Sequence, residues 1–150
     1  MITTLDDAGF KFLAKHEGLV LHPYRDVGGV PTIGYGSTFY ADGTPVKIGD
    51  PSITAEQAQE LLIKTSPQYA NAVHNWTVPT LNQNQFNALF SFVYNIGTGG
   101  FKGSTVLKLV NKQDYSNNLL NAFLMWDKVD HVINGDLHQR RIDEYNLFIS

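Results

Sequence analysis

Apolar positions recur at helical spacing at both ends of the chain and lose that spacing in between. Over residues 5 to 16, Phe10, Leu13 and Ala14 fall at i, i+3 and i+4, and Glu17 completes the face at i+7. Thr4 with Asp7 three residues on approximates a capping box, and Gly18 stops the predicted helix. Residues 19 to 50 behave differently. Gly28, Gly29, Gly34, Gly36, Gly43 and Gly49 alternate there with Pro23, Pro31 and Pro45. That density of turn formers forbids long helices and predicts a small, glycine-rich antiparallel sheet. Gly28-Gly29 and Asp42-Gly43 are its hairpin turns.

Helical spacing returns at Thr54. Ser52 or Thr54 can cap, Ala58, Leu61, Leu62, Ala70 and Val73 form the stripe, and Pro67 kinks or divides it. A helix follows over about 82 to 95, carried by Phe86, Leu89, Phe90 and Val93. Gly97, Gly99, Gly100 and Gly103 predict a loop, after which Ser104 opens a short helix through Leu109. Asp114 to Trp126 and Leu137 to Phe148 read as the last two helices. Helix, small sheet, then several helices is an α+β arrangement with the sheet segregated to one end.

Composition narrows the function. The 150 residues suit one domain, and 43% hydrophobic against 17% charged residues supports a true core. No apolar run approaches the roughly 20 residues that cross a bilayer, so no stable membrane insertion is expected. Met1 to Phe10 lacks the pattern of a secretory signal, so the chain is expected to start in the cytoplasm. With no cysteine, disulfides and thiolate metal sites are excluded. The five histidines show no zinc-pair spacing, and Asp127 with His131 lacks a third ligand, so neither metal nor cofactor is expected. Net charge is −3, and no basic stripe interleaved with aromatics is present, which argues against nucleic acid. An acidic chain also gains no long-range attraction to an anionic polymer and must recognise it by shape.

The stretch from His16 to Thr38 carries the candidate chemistry. Glu17 ends a helix on its apolar face, so partial burial and the negative helix end would both favour a carboxyl that keeps its proton, as a general acid requires. Asp26, before the Gly-Gly turn in a polar hairpin, should stay ionised. Two carboxyls in opposed environments suit glycosidic cleavage. Thr32, on the next strand, can donate and accept at once and so hold a water beside Asp26. Gly34 and Gly36 would let a bulky ligand approach the backbone, while Tyr24 and Tyr35 offer faces for sugar rings. Taken alone, such a carboxyl pair is more often two ordinary solvated residues.

The ordered pattern is more specific. Glu17-Gly18-Leu19, Tyr24-Arg25-Asp26 and Thr32-Ile33-Gly34-Tyr35-Gly36 resemble the active-site segment of the phage-type lysozymes, or endolysins, of glycoside hydrolase family 24. Gln85 to Leu89, Asn95-Ile96-Gly97, Ser104-Thr105, Phe123 with Trp126, and Leu137 with Arg140, Arg141 and Glu144 resemble the rest of that family in order. The resemblance implies a lysozyme-like fold: one domain, 1 to 150, with a sheet lobe over about 17 to 52. A helical lobe over about 53 to 150 takes in the N-terminal helix, with a cleft between the two lobes. It implies cleavage of the β-1,4 bond between N-acetylmuramic acid and N-acetylglucosamine in bacterial peptidoglycan. Glu17 would be the acid, with Asp26 and Thr32 placing water and stabilising charge. An inverting geometry would separate the carboxyls by roughly 6.5 to 9.5 Å.

By the same resemblance Asn95 and Ser104 would face the sugars, against plain helix-end and N-cap roles. Arg140 or Arg141 would support the site, with Arg140 assigned as the partner of Glu17, against pairing along the helix to Glu144. Trp126 reads as core. The enzyme would work as a monomer, released from the host cytoplasm to the wall with the aid of a holin. Ser37 stands where many relatives carry His, and Asp136 interrupts their Gly-Leu before the arginine pair. Two alternatives remain: a lytic transglycosylase, which needs Glu17 but neither Asp26 nor Thr32, and a non-catalytic peptidoglycan-binding module.

Overall fold

The computed structural model describes all 150 residues. In chain order the elements are α1 (Asp7–Glu17), β1 (Val20–Arg25), β2 (Pro31–Gly34), α2 (Ala55–Thr65), α3 (Pro67–Trp76), α4 (Gln83–Ile96), α5 (Thr98–Lys102), α6 (Thr105–Asn111), α7 (Asn117–Leu124), β3 (Lys128–Val129), β4 (Val132–Ile133) and α8 (Gly135–Ile149). They divide into two compact units. Residues Phe10–Pro67 form the sheet unit, and Met1–Gly9 with Gln68–Ser150 form the helical unit.

In the sheet unit, β1 and β2 pair antiparallel with Val20 opposite Gly34, Tyr24 opposite Thr32 and Arg25 opposite Pro31. The register slips between Val20 and Tyr24, an irregularity of the bulge type. Bridges from Ile33 to Ser37 and from Phe39 to Pro45 extend the pairing. Both predicted turns form. Asp42 closes the second by accepting from the Thr44 N–H at 2.9 Å and hydroxyl at 2.7 Å.

The other face of β2 is covered by α2, whose Thr54–Gln57 capping box satisfies its first turn. Ile33, Val46 and Leu61 form the small core there, with Tyr40 and Ile53 packed against it. The helix therefore belongs with the sheet, not with the helical lobe expected to begin near residue 53. The reason is its apolar stripe: Leu61 joins that core, and Ala58 Cβ lies 3.4 Å from where a Cβ at Gly34 would stand.

In the helical unit, α4 is buried without interruption from Phe86 to Val93. Phe92 meets Phe101, Phe123 and Trp126 edge-on at 6.3, 5.0 and 6.1 Å. Each such ring contributes about 1.5–3 kcal/mol by burial. Trp126 is half-buried at the edge of this cluster, and its ring lies 3.0 Å from where a Cβ at Gly100 would stand.

Several boundaries differ from the expectation. The first helix starts at Asp7, and its Gly9 N–H donates to Asp6 Oδ1 at 2.9 Å, so Asp6 and not Thr4 does the capping. Pro67 divides the long stripe and opens α3, a position where the missing proline N–H costs nothing. The Gly97–Gly103 loop folds into one helical turn, α5, because Phe101 is buried and draws it inward. Between α7 and α8 lies an unforeseen hairpin, β3–β4. Its turn, Asp130-His131, has φ of 49° and 67°, a type I′ geometry reached without the usual glycine.

Candidate active site

Glu17, Asp26 and Thr32 all lie in the sheet unit. Glu17 is the last residue of α1. The Gly18 N–H closes that turn on the Ala14 carbonyl at 2.8 Å, and Gly18 leaves the helix at φ +82°. The Glu17 side chain is exposed. The expected partial burial is therefore corrected: the last turn of α1 carries Glu17 past the apolar face that buries Phe10 and Leu13.

Asp26 is held by its own loop. Its backbone N–H donates to the Val30 carbonyl at 3.0 Å, and the Gly29 N–H donates to the Asp26 carbonyl at 2.9 Å. Its Oδ1 accepts from the N–H groups of Gly28 and Val30, both at 2.9 Å. Arg25 adds a guanidinium hydrogen bond to the Gly29 carbonyl at 3.0 Å. This leaves Asp26 Oδ2 directed at no protein donor in a loop that is otherwise closed. Only one residue separates the two glycine-backed donors, which is why a Gly-Gly turn here can wrap a carboxylate.

Thr32 is buried, 3% exposed, and its hydroxyl donates to the Val30 carbonyl at 2.8 Å. The proton is committed to the loop, so toward a water the hydroxyl can only accept. The expected dual role narrows accordingly. Tyr24, opposite Thr32, is half-buried.

Two of the glycine and tyrosine expectations are corrected. Tyr35 is 4% exposed and packs on Phe10 with ring centroids 5.8 Å apart. Burial pushes its phenol up, opposed by a hydrogen bond with Gln59. It is a core residue, not a sugar platform. Gly34 is buried at φ +70°, with Ala58 Cβ only 3.4 Å from where its own Cβ would be. The close approach it allows is that of α2, not of a ligand. Gly36 is exposed, at φ +103°, and is consistent with a backbone open to a ligand.

The remaining residues lie in the helical unit. Asn95 is exposed one residue before the end of α4. Ser104 is 3% exposed and caps α6: its hydroxyl accepts from the Leu107 N–H at 3.1 Å and donates to the Phe101 carbonyl at 2.8 Å. Its hydrogen-bonding capacity serves the helix, which removes it from the sugar-facing set.

Arg140 and Arg141 are buried, and both engage Glu144, itself 0% exposed. Arg141 Nε reaches Glu144 Oε1 at 2.7 Å and its NH2 reaches Oε2 at 3.2 Å. Arg140 Nε reaches Oε2 at 3.4 Å, and its NH2 donates to the Ser91 carbonyl at 3.0 Å. The Ser91 hydroxyl donates to Glu144 Oε2 at 2.6 Å. The Arg141 guanidinium lies 5.2 Å from the Phe92 ring centre. Burial pushes the Glu144 carboxyl up, while Arg141, Arg140 and Ser91 oppose that push. The pairing to Glu144 along the helix, set above as the alternative to a partnership of Arg140 with Glu17, is present for both arginines.

Ser91 was not singled out in the sequence, although a lone serine within Phe90-Ser91-Phe92-Val93 signals a buried polar contact. A second missed cluster is Asp127, 3% exposed, which accepts from Lys128 Nζ at 3.0 Å and meets His138 Nδ1 at 2.9 Å. The His138 hydrogen bond, with Lys128, holds its carboxyl below the ordinary value. No group of three His, Asp or Glu side chains converges to hold a metal.

Comparison with known proteins identifies the family and the fold. The family model described as Phage lysozyme matches residues 14–144. The endolysin of Salmonella phage P22 is 40% identical over 142 residues, covering 95% of each chain. A crystal structure of a P22 lysozyme mutant superposes with a TM-score of 0.87 at 39% identity, covering 99% of this chain and all of that one. The muramidase domain of SpmX from Asticaccaulis excentricus gives a TM-score of 0.79 at 31% identity, covering 99% of each.

Proposed function

The chain belongs to the phage lysozyme family, a lysozyme-type enzyme that lyses peptidoglycan; on that premise we propose that it hydrolyses the β-1,4 bond between N-acetylmuramic acid and N-acetylglucosamine through Glu17, Asp26 and Thr32. Glu17 gives its proton to the glycosidic oxygen as the bond to the anomeric carbon breaks. A water attacks that carbon from the opposite face, as an inverting reaction requires. One water proton passes toward Asp26 Oδ2, and the other is accepted by the Thr32 hydroxyl as a hydrogen bond. Solvent returns the proton from Asp26 to Glu17 after the products leave.

The observation that carries this reading is the Asp26–Thr32 loop. Two backbone N–H groups fix one carboxylate oxygen, and the Thr32 proton is tied to Val30. What remains free is one carboxylate oxygen and one hydroxyl lone pair, both acceptors. Two acceptors are what a water needs to be held with a lone pair turned outward for attack. A transglycosylase would have no use for that pair. Tyr24, Gly36 and Asn95 are the substrate-contacting candidates that the structure leaves open. The enzyme acts as a monomer on wall peptidoglycan and reaches it from the host cytoplasm with a holin's help in the same reading.

The test is a mass spectrum of the soluble products from purified peptidoglycan. Reducing muramic acid ends, absent with Glu17→Gln, are expected. Anhydro ends would replace hydrolysis with transglycosylation and strip Asp26 and Thr32 of their roles. Binding without any fragments would leave only the binding module.

A further inference from the structure

The sheet unit carries a recessed surface that the Asp26 loop does not line. An open cleft of about 520 Å³ is lined by Tyr40, Pro45, Lys47, Asp50, Ile53 and Gln57 among others. It continues past Tyr40, Ile53 and Gln57 into a smaller one of about 200 Å³. Neither Glu17, Asp26 nor Thr32 lines either. The larger falls within the roughly 300–1,000 Å³ range of small-molecule sites.

Its polar groups are held in place from behind. Tyr40 packs against the Ile33, Val46 and Leu61 core, and its hydroxyl donates to Asp50 Oδ2 at 2.8 Å. The Lys47 backbone N–H donates to the same oxygen at 2.9 Å. Those bonds hold the Asp50 carboxyl low, while burial, with the bond and charge of Asp50, pushes the Tyr40 phenol up to about 12. Asp50 Oδ1 is left as a fixed acceptor. Gln57 is fixed likewise: its Oε1 accepts from the Thr54 N–H at 2.8 Å, which leaves its Nε2 as a donor. An aromatic ring, a proline and an isoleucine thus lie beside an oriented acceptor and an oriented donor.

The charges decide the ligand class. Lys47 balances Asp50 in the larger cleft, and Glu60 balances Lys64 at 3.9 Å in the smaller. An anion or a cation would meet both signs, whereas an uncharged polar ligand with an apolar face meets neither penalty. We propose that the Tyr40–Asp50–Gln57 cleft is a second glycan site, which holds an uncharged N-acetylhexosamine stretch of the wall polymer while the Glu17 centre works elsewhere on it. The proposal rests on the peptidoglycan reading above. It also supplies what the net charge of −3 withholds: residence on the wall comes from a second contact and not from long-range attraction.

The test uses the isotope-labelled Glu17→Gln protein, titrated with the N-acetylglucosamine tetramer and followed by amide NMR shifts. Saturable shifts at Tyr40, Lys47, Asp50 and Gln57 are expected. They should weaken at least tenfold with Lys47→Ala/Asp50→Asn, and with Ser52→Trp, which fills the cleft and leaves the Tyr40–Asp50 bond alone. With Glu17 intact, both variants should cut soluble muropeptide oligomers at the parent rate and solubilise intact walls several-fold more slowly. Shifts confined to the Glu17 and Asp26 segments would overturn the second site and leave the proposed reaction standing. Cleft shifts produced instead by a sugar-free stem peptide would overturn the glycan assignment. Failure of the reaction itself would show separately, as the absence of cleavage products from the parent enzyme.

Discussion

Glu144→Gln isolates the contribution of the buried charge cluster. The substitution keeps the shape of the side chain and removes its charge. Glu144 is 0% exposed, and its two oxygens take Arg141 at 2.7 and 3.2 Å, Arg140 at 3.4 Å and the Ser91 hydroxyl at 2.6 Å. Without the carboxylate, two guanidiniums that are 5% and 0% exposed lose their shared counter-charge. Removing one partner of a buried pair costs about 3–5 kcal/mol, because the remaining charge stays desolvated. At about 2–4 °C per kcal/mol for a chain of this size, the unfolding midpoint should drop by about 6–20 °C. Circular dichroism with heat and with urea measures both quantities. Replacing the trio together, with Arg140→Met, Arg141→Met and Glu144→Leu, should recover much of the loss, since an apolar set of similar volume needs no counter-charge. A loss under about 1 kcal/mol for Glu144→Gln would refute the reasoning: the burial push would then have won, and the folded carboxyl would already be neutral.

Three further outcomes follow from particular contacts. Gly9→Ala should destabilise by about 1–3 kcal/mol despite the better helix propensity of alanine. The new Cβ would stand 2.5 Å from Asn87 Oδ1, and Asn87 is buried and bonded to Asp6 and Gln83; an unchanged urea midpoint would show that Asn87 can move. Asp127→Asn should cost about 1.5–3 kcal/mol near neutral pH by weakening the charge-assisted bonds to His138 and Lys128. Because the folded Asp127 carboxyl lies below its ordinary 3.8, that stability is present above about pH 4 and is lost as pH falls through the lowered folded value. Urea curves of the two proteins should therefore converge in acid, and a gap that persists to the lowest pH would sink the assignment. Thr32→Val should leave the fold nearly intact and lower the hydrolytic rate about 10²-fold or more, since it removes the water acceptor; a rate within twofold of the parent would count against the water-holding role.

The candidate site was legible where chemistry is local. Glycine before a strand, aspartate before Gly-Gly and threonine on the return strand form one continuous hairpin. Its register follows from the turn, so sequence spacing places Asp26 and Thr32 on the same loop. Helix ends were legible for the same reason, through Gly18, Thr54, Pro67 and Ser104. The Asp130-His131 turn escaped because it lacks the glycine that marked the other hairpin turns, although Asp and His enter positive φ more readily than most residues.

What the amino-acid order determined alone was the alternation of helices with one glycine-rich sheet, the absence of disulfides, and the residue types that can cut a glycosidic bond. Only the tertiary structure decided how each side chain is used. Tyr35 offers the same phenol as Tyr24 in sequence, yet Phe10 and the fold around it bury Tyr35. Gly34 and Gly36 look alike, yet α2 closes over the first and leaves the second open. Arg140 and Arg141 carry the same guanidinium at successive positions, and only the fold shows that both share Glu144 while Arg140 also bonds Ser91. Spacing along the chain sets which neighbours a residue has locally. Burial, and with it the strength of every charge and hydrogen bond, depends on which distant segments come to lie against it.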